Sequence, residues 1–291
     1  MEKLELKALG KINLGLDVLG KRPDGYHDVR MVMQTIYLYD KVILEKKNEP
    51  GIEIESSLFF LPKDENNIAW KAAKLLMDEF SLREGIRISL EKHIPVAAGM
   101  AGGSTDAAAV LYGMNRMFQL GLSLSQLMER GVTLGADVPY CLMRGTVLAE
   151  GIGEKLTPLP PLPSCQILVA KPPISVSTRM VYEKLDSGRI ENHPDIDGIL
   201  EGLKDRNLEK VARSMGNVLE GVTEKEYPVI SRIKEQMLEA GALGAMMSGS
   251  GPTVFGIFRD RKSVKQAYAM VRKQKLAKQV YMAGVHNVRR R

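Results

Sequence analysis

Apolar and polar residues alternate from Lys11 to Val18, with Ile12, Leu14, Leu16 and Val18 on one side and Lys11, Asn13, Gly15 and Asp17 on the other. A period of two predicts a half-buried strand on which Lys11 and Asn13 share the polar face. Val29 to Tyr39, Val42 to Leu44 and Gly51 to Glu55 carry further strand signals. The spacing becomes helical from Asn67 to Phe80, where Ile68, Ala72, Leu75 and Leu76 recur on one face. Alternation returns at Ile86, Ile88 and Leu90; a glycine-rich loop follows, and then Ala107, Leu111, Met114 and Phe118 fall at helical spacing. This order is strand, loop, helix. Ser123 opens another helix, with Leu124, Leu127 and Met128 on one side and a stop at Gly131.

The clearest break is Thr157-Pro158-Leu159-Pro160-Pro161-Leu162-Pro163. Prolines at this density exclude helix and central strand, leaving a connector or an edge segment. A second mixed region begins at Ile167–Ala170. It has helical patterns over Val211–Val222 and Val229–Ala240, a turn at 248–251, a strand at Thr253–Phe258 and a helix over Ser263–Gln274. The economical expectation is two α+β domains meeting near residue 160, with a ligand cleft between them.

Composition narrows the class. With 291 residues, 44% hydrophobic and 26% charged, the chain is an ordinary globular protein with room for a substantial core. No apolar run approaches the roughly 18 residues of a membrane span, and Met1-Glu2-Lys3-Leu4-Glu5 lacks a signal-peptide layout. A net charge of +6, partly from Arg289-Arg290-Arg291, comes with only 5% aromatics, which argues against a nucleic-acid surface and suits a small polyanionic substrate. Cys141 and Cys165 have no metal or redox spacing; they read as small core residues in a reducing cytoplasm. His93, His193 and His286 show no ligand spacing either.

Chemistry concentrates at Pro95-Val96-Ala97-Ala98-Gly99-Met100-Ala101-Gly102-Gly103-Ser104-Thr105. Small residues let backbone N–H groups approach an anion, and the first turn of the following helix adds unpaired donors and a positive dipole end. The reading is a cradle for nucleotide phosphates; the alternative is a tight turn before a buried helix. Ser104, Thr105 and Asp106 are candidate cap or first-turn residues. Gly15 to Arg22 nearly spells a Walker loop, but Arg22 replaces the magnesium-binding hydroxyl and Pro23-Asp24-Gly25 follows where a helix should start. It is rejected. Asp137, between Ala136 and Val138-Pro139, is either a turn residue or a carboxylate able to orient or deprotonate a hydroxyl. Asp24-Gly25-Tyr26-His27 is a turn followed by two side chains able to stack and hydrogen-bond. Met247-Ser248-Gly249-Ser250-Gly251 is a second Gly-Ser loop, weak on its own.

Three ordered motifs, together spanning essentially the whole chain, resemble those of the GHMP kinase superfamily. Lys11-Ile12-Asn13-Leu14 resembles the first, Pro95 to Ala109 the central ATP loop, and Ser248 to Phe255 the third. Arg22-Pro23-Asp24-Gly25-Tyr26-His27 and Leu134-Gly135-Ala136-Asp137-Val138-Pro139 are similar to the branch that acts on a cytidylated methylerythritol. The resemblance implies a two-domain α+β fold, ribosomal-protein-like over 1–157 and ferredoxin-like over 164–291. It implies transfer of the γ-phosphoryl of ATP, with magnesium, to the 2-hydroxyl of a substrate carrying cytidine diphosphate, in the non-mevalonate route to isoprenoid precursors. Asp137 would take the hydroxyl proton and Lys11 stabilise charge. Pro95 to Thr105 would hold ATP, with Asn66 at the adenine and Ser104 the candidate magnesium ligand. Asn13, Tyr26, His27 and Tyr182 would hold the acceptor. Met100-Ala101 departs from the Leu-Gly frequent in the family. The expected protein is cytoplasmic, a monomer or weak homodimer, with neither nucleic-acid nor membrane partners. The competing expectations are a superfamily member acting on another alcohol, such as homoserine or mevalonate, and a catalytically silent binding protein.

Overall fold

The computed structural model describes residues 2–186, 190 and 192–288; the Arg289-Arg290-Arg291 tail lies outside them. In chain order, β1 (Lys3–Lys21), β2 (His27–Lys47), β3 (Ile52–Ser56), α1 (Ile68–Glu79) and β4 (Gly85–Glu91) lead to α2 (Gly102–Met117). Next come α3 (Leu124–Leu134), α4 (Val138–Met143), β5 (Thr146–Gly151), β6 (Lys155–Pro158) and β7 (Gln166–Lys171). Then α5 (Thr178–Asp186), α6 (Ile196–Lys204), α7 (Leu208–Ser214), β8 (Gly216–Asn217) and α8 (Glu220–Glu226) follow. The chain closes with α9 (Val229–Glu239), β9 (Gly244–Met247), β10 (Val254–Phe258), α10 (Arg261–Lys273) and β11 (Gln279–Gly284). Among the described residues, no helix is long and apolar enough to cross a membrane.

The chain packs as two compact units, each assembled from separate segments. The first comprises residues 1–10, 38–96 and 101–143. In it β4 pairs antiparallel with β2, Val42 opposite Leu90 and Leu44 opposite Ile88, and parallel with β3. Both α1 and α2 bury alanines (Ala69, Ala72 and Ala73; Ala107, Ala108 and Ala109) and pack together. Side chains this small permit close helix approach. Asn67 caps α1 by accepting from the Ala69 N–H, and Ser123 with Gln126 forms a capping box on α3.

The second unit comprises 11–37, 97–100 and 144–291. Here β2 pairs with β5, β5 with β6, and β1 runs parallel to β8 with Leu16 opposite Asn217. A separate four-stranded antiparallel sheet has the order β11-β7-β10-β9. Numbered from β7 as the first strand this is 4-1-3-2, the ferredoxin-like arrangement expected of the C-terminal half. α9 and α10 pack on it, burying Ile230, Ile233, Val264 and Val271.

Four local expectations change. The strand bearing Lys11 and Asn13 is not half-buried: residues 8–18 are buried on both faces, leaving Lys11 5% and Asn13 0% exposed. The two strand signals from Val29 to Leu44 belong to one strand, β2. The helical pattern over Val211–Val222 breaks, because Met215 leaves helical geometry and Gly216–Asn217 pairs with β1 before α8 begins. The helix after the glycine loop starts at Gly102, earlier than Ser104, and its N-cap is Ala101 without a side-chain cap bond.

Candidate active site

The loop preceding α2 alternates in handedness. Ala97, Gly99 and Ala101 have φ of 49°, 74° and 57°, in the left-handed region where glycine is favoured. Ala101, which stands where the family often has glycine, thus occupies a conformation that glycine adopts more readily. The first-turn N–H groups of Gly102, Gly103 and Ser104 have no intrahelical carbonyl partner, which makes them anion donors. A Cβ at Gly103 would meet only Ile68 Cγ2, at 3.4 Å. Protein packing does not demand glycine there, and the half-turn stays open for a ligand. The Thr105 hydroxyl, by contrast, donates to the Leu9 carbonyl at 2.8 Å and is committed to the fold.

Residues 97–100 belong to the second unit, where the three motifs meet. The Lys11 N–H donates to the Met100 carbonyl at 3.2 Å, and the Ser248 hydroxyl donates to the Gly99 carbonyl at 2.8 Å. A Cβ on Gly99 would lie 1.9 Å from the Ser248 carbonyl oxygen, so only glycine fits. Lys11 Nζ donates to Asn13 Oδ1 at 2.8 Å, and Asn13 Nδ2 reaches Met31 Sδ at 3.5 Å. A buried ammonium on a neutral acceptor is a cation available to a developing negative charge.

In the first unit, Asp137 precedes the short α4 and its carbonyl accepts from the Cys141 N–H. The side chain is partly exposed. Asn66 is exposed and folds onto Asp64, donating both its backbone N–H and its Nδ2 to Asp64 Oδ1. A group that sequence reasoning missed lies under the start of α2. Lys92 ion-pairs with both Asp40 and Asp106, all three side chains being almost wholly buried. Asp40 also accepts from the His93 and Ile94 N–H groups. Burial pushes the Asp106 carboxyl up to about 7, against the pull of Lys92. The signal for it was an acid inside the apolar helical run from Thr105 to Leu111; Asp106 is an ion-pair partner and caps nothing.

At the other end of β1, His27 and Tyr182 stack with ring centroids 4.8 Å apart, tilted by 35°. His27 Nε2 lies 2.6 Å from Asp186 Oδ1, and Lys21 pairs with the other carboxylate oxygen at 2.7 Å. Hydrogen bonds from Lys21 and then His27 hold Asp186 below the usual carboxylate range. Tyr26 does not join the stack; it is 61% exposed beside it in sequence.

Residues 67–145 match the family model for the GHMP kinases N terminal domain, and residues 199–277 that for GHMP kinases C terminal. The chain is 58% identical to a 4-diphosphocytidyl-2-C-methyl-D-erythritol kinase of Lachnospira eligens, over 97% of this chain and 98% of that one. It is 54% identical to the protein of that name from Lachnoclostridium phytofermentans, over 97% of each. A crystal structure of a 4-(cytidine 5'-diphospho)-2C-methyl-D-erythritol kinase superposes with a TM-score of 0.83 at 31% identity, covering 98% of this chain and 100% of that one. A homoserine kinase from Cytophaga hutchinsonii, 21% identical at a TM-score of 0.78 over 98% and 95% of the two chains, shares the fold.

Proposed function

We propose a phosphotransferase function for this chain, which belongs to the GHMP kinases and, within them, to the 4-diphosphocytidyl-2-C-methyl-D-erythritol kinases. It transfers the γ-phosphoryl of ATP to the 2-hydroxyl of 4-diphosphocytidyl-2-C-methyl-D-erythritol. The observation that carries the acceptor is the His27–Tyr182 stack with His27 tied to Asp186. An oriented imidazole and an aromatic face suit a planar base, which homoserine and mevalonate lack.

In this reading the N–H groups of Gly102, Gly103 and Ser104, with the loop from Pro95 through Val96, Ala97, Ala98, Gly99, Met100 and Ala101 to Thr105, hold the phosphates of ATP, and Asn66 lies towards the adenine. Asp137 accepts the proton of the attacking hydroxyl. Lys11 stabilises the charge that develops on the transferring group, while Asn13 orients both Lys11 and the acceptor. Tyr26, His27 and Tyr182 hold the cytosine. Among the described residues no three His, Cys, Asp or Glu side chains gather as a metal site. The Ser104 hydroxyl, in the first turn of α2, would be the protein ligand of a magnesium ion carried mainly by phosphate oxygens, which when bound would neutralise phosphate charge.

The test is ADP release from purified protein with ATP and each of three acceptors: the cytidylated alcohol, homoserine and mevalonate. Turnover of the first alone is expected. Ready phosphorylation of homoserine or mevalonate with the cytidylated alcohol ignored sinks the acceptor assignment.

A further inference from the structure

We propose that Asn217 and Glu220 are positioning residues that grip the Met247–Gly249 segment and thereby set the phosphate loop at Gly99. The buried Asn217 amide has every polar group used. Its Nδ2 donates to the Met247 carbonyl at 2.9 Å and the Gly249 carbonyl at 2.8 Å, and its Oδ1 accepts from the Leu219 N–H at 3.0 Å. Glu220 Oε1 accepts from the Met247 N–H at 2.7 Å and pairs with Lys234 at 2.9 Å. Met247 is therefore held at both its N–H and its carbonyl, and Gly249 at its carbonyl.

Between these held residues sits Ser248, whose hydroxyl reaches the Gly99 carbonyl. The grip is itself anchored on the lysine-bearing strand, since β8 places Asn217 opposite Leu16 of β1. From that strand the Lys11 N–H holds the next loop residue, Met100. Two adjacent loop carbonyls are thus held by two elements that Asn217 ties together. A shift of about 1 Å in such a cradle costs of order a hundredfold in rate. A turn that merely joined β9 to β10 would need only its own bonds, from Ser248 N–H to the Thr253 carbonyl and from Gly251 N–H to the Ser248 carbonyl.

The proposal rests on the ATP reading of the loop. The experiment measures melting temperature, ADP affinity by calorimetry and separate KM values for ATP and acceptor in Asn217→Ala, Glu220→Ala and Lys234→Met. Losing the two hydrogen bonds from Asn217 to the gripped segment should raise the ADP Kd and the ATP KM about tenfold in Asn217→Ala, leaving the acceptor KM within about twofold. Glu220→Ala should move the same way. Lys234→Met removes the ion pair but keeps the acceptor on Met247, so it should lower the melting temperature with ADP affinity within about twofold. An unchanged ADP Kd in folded Asn217→Ala overturns the proposal. Should that variant not fold, hydrogen exchange on the wild type decides: ADP must slow exchange across both 97–101 and 247–251, and slowing at 97–101 alone overturns it. Wild type that binds ADP but ignores the cytidylated acceptor sinks the acceptor reading and leaves the grip standing if Asn217→Ala weakens ADP; wild type that binds no ADP sinks both.

Discussion

The Ser248 hydroxyl lies 2.8 Å from the Gly99 carbonyl oxygen, and the Ser248 carbonyl oxygen occupies the space that a Cβ on Gly99 would need. Two loops 149 residues apart in sequence are therefore fitted backbone to backbone.

This fit separates two glycines of one motif. Gly99→Ala meets both the Ser248 carbonyl and a φ of 74°, and should destabilise the fold by at least about 1–2 kcal/mol. The Cβ that Gly103→Val adds meets only Ile68 at contact distance, so the protein should fold while ADP binding is lost. Urea titration and calorimetry on both variants check the contrast. Undiminished ADP affinity in folded Gly103→Val would make that turn structural alone.

Asp137→Asn keeps the size of the side chain and removes the base. The expected outcome is a fall in kcat of about 10²–10⁴-fold with KM little changed. A steady-state kcat within about threefold of wild type would remove Asp137 from the base role.

Asp106 carries a pH dependence whose sign follows from burial. Its folded carboxyl titrates at about 7 and the unfolded one near the ordinary aspartate value of 3.8, so between these the folded state retains a proton that the unfolded chain has released. Its contribution to stability is complete below about pH 4 and is lost as pH rises towards 7. The melting temperature of Asp106→Asn minus that of wild type should therefore climb between pH 4 and 7 and level off above. Lys92 and Asp40 are the charged groups packed on this carboxyl. A difference that stays flat or falls with pH would contradict a protonated Asp106.

The His27–Tyr182 stack makes Tyr182→Ala the sharper test of the acceptor site. Base–aromatic stacking is worth about 1–3 kcal/mol, so affinity for a cytidine diphosphate compound should fall by one to two decades with ATP KM unchanged. Tyr26→Ala should cost little stability, since Tyr26 is 61% exposed, and any loss it causes should appear in acceptor binding. Calorimetric affinities for cytidine diphosphate that match wild type in both variants would move the base elsewhere.

What the linear chain determined was local. Asn67 capping α1, the capping box at Ser123 and the strand–loop–helix order from Ile86 to Phe118 depend on neighbours within a few residues, where propensity and spacing act. The motifs at Lys11, Gly99 and Ser248 were equally legible as residues. Tertiary structure alone decided what each one touches. Lys11 and Asn13 look solvent-facing by alternation, yet β1 is covered on both faces, which no period-two pattern can report. The helical spacing over Val211–Val222 yields to Asn217, whose pairing with β1 and bonds to Met247 and Gly249 outweigh local propensity. Lys92, Asp40 and Asp106 lie up to 66 residues apart, with no spacing rule to link them, and meet because the β2–β4 ladder, with Lys41 opposite Glu91, sets Asp40 beside Lys92 while the first turns of α2 bring in Asp106. The compact units, too, draw on separate stretches of chain, since a fold is closed by buried area and hydrogen bonds between segments that are distant in sequence.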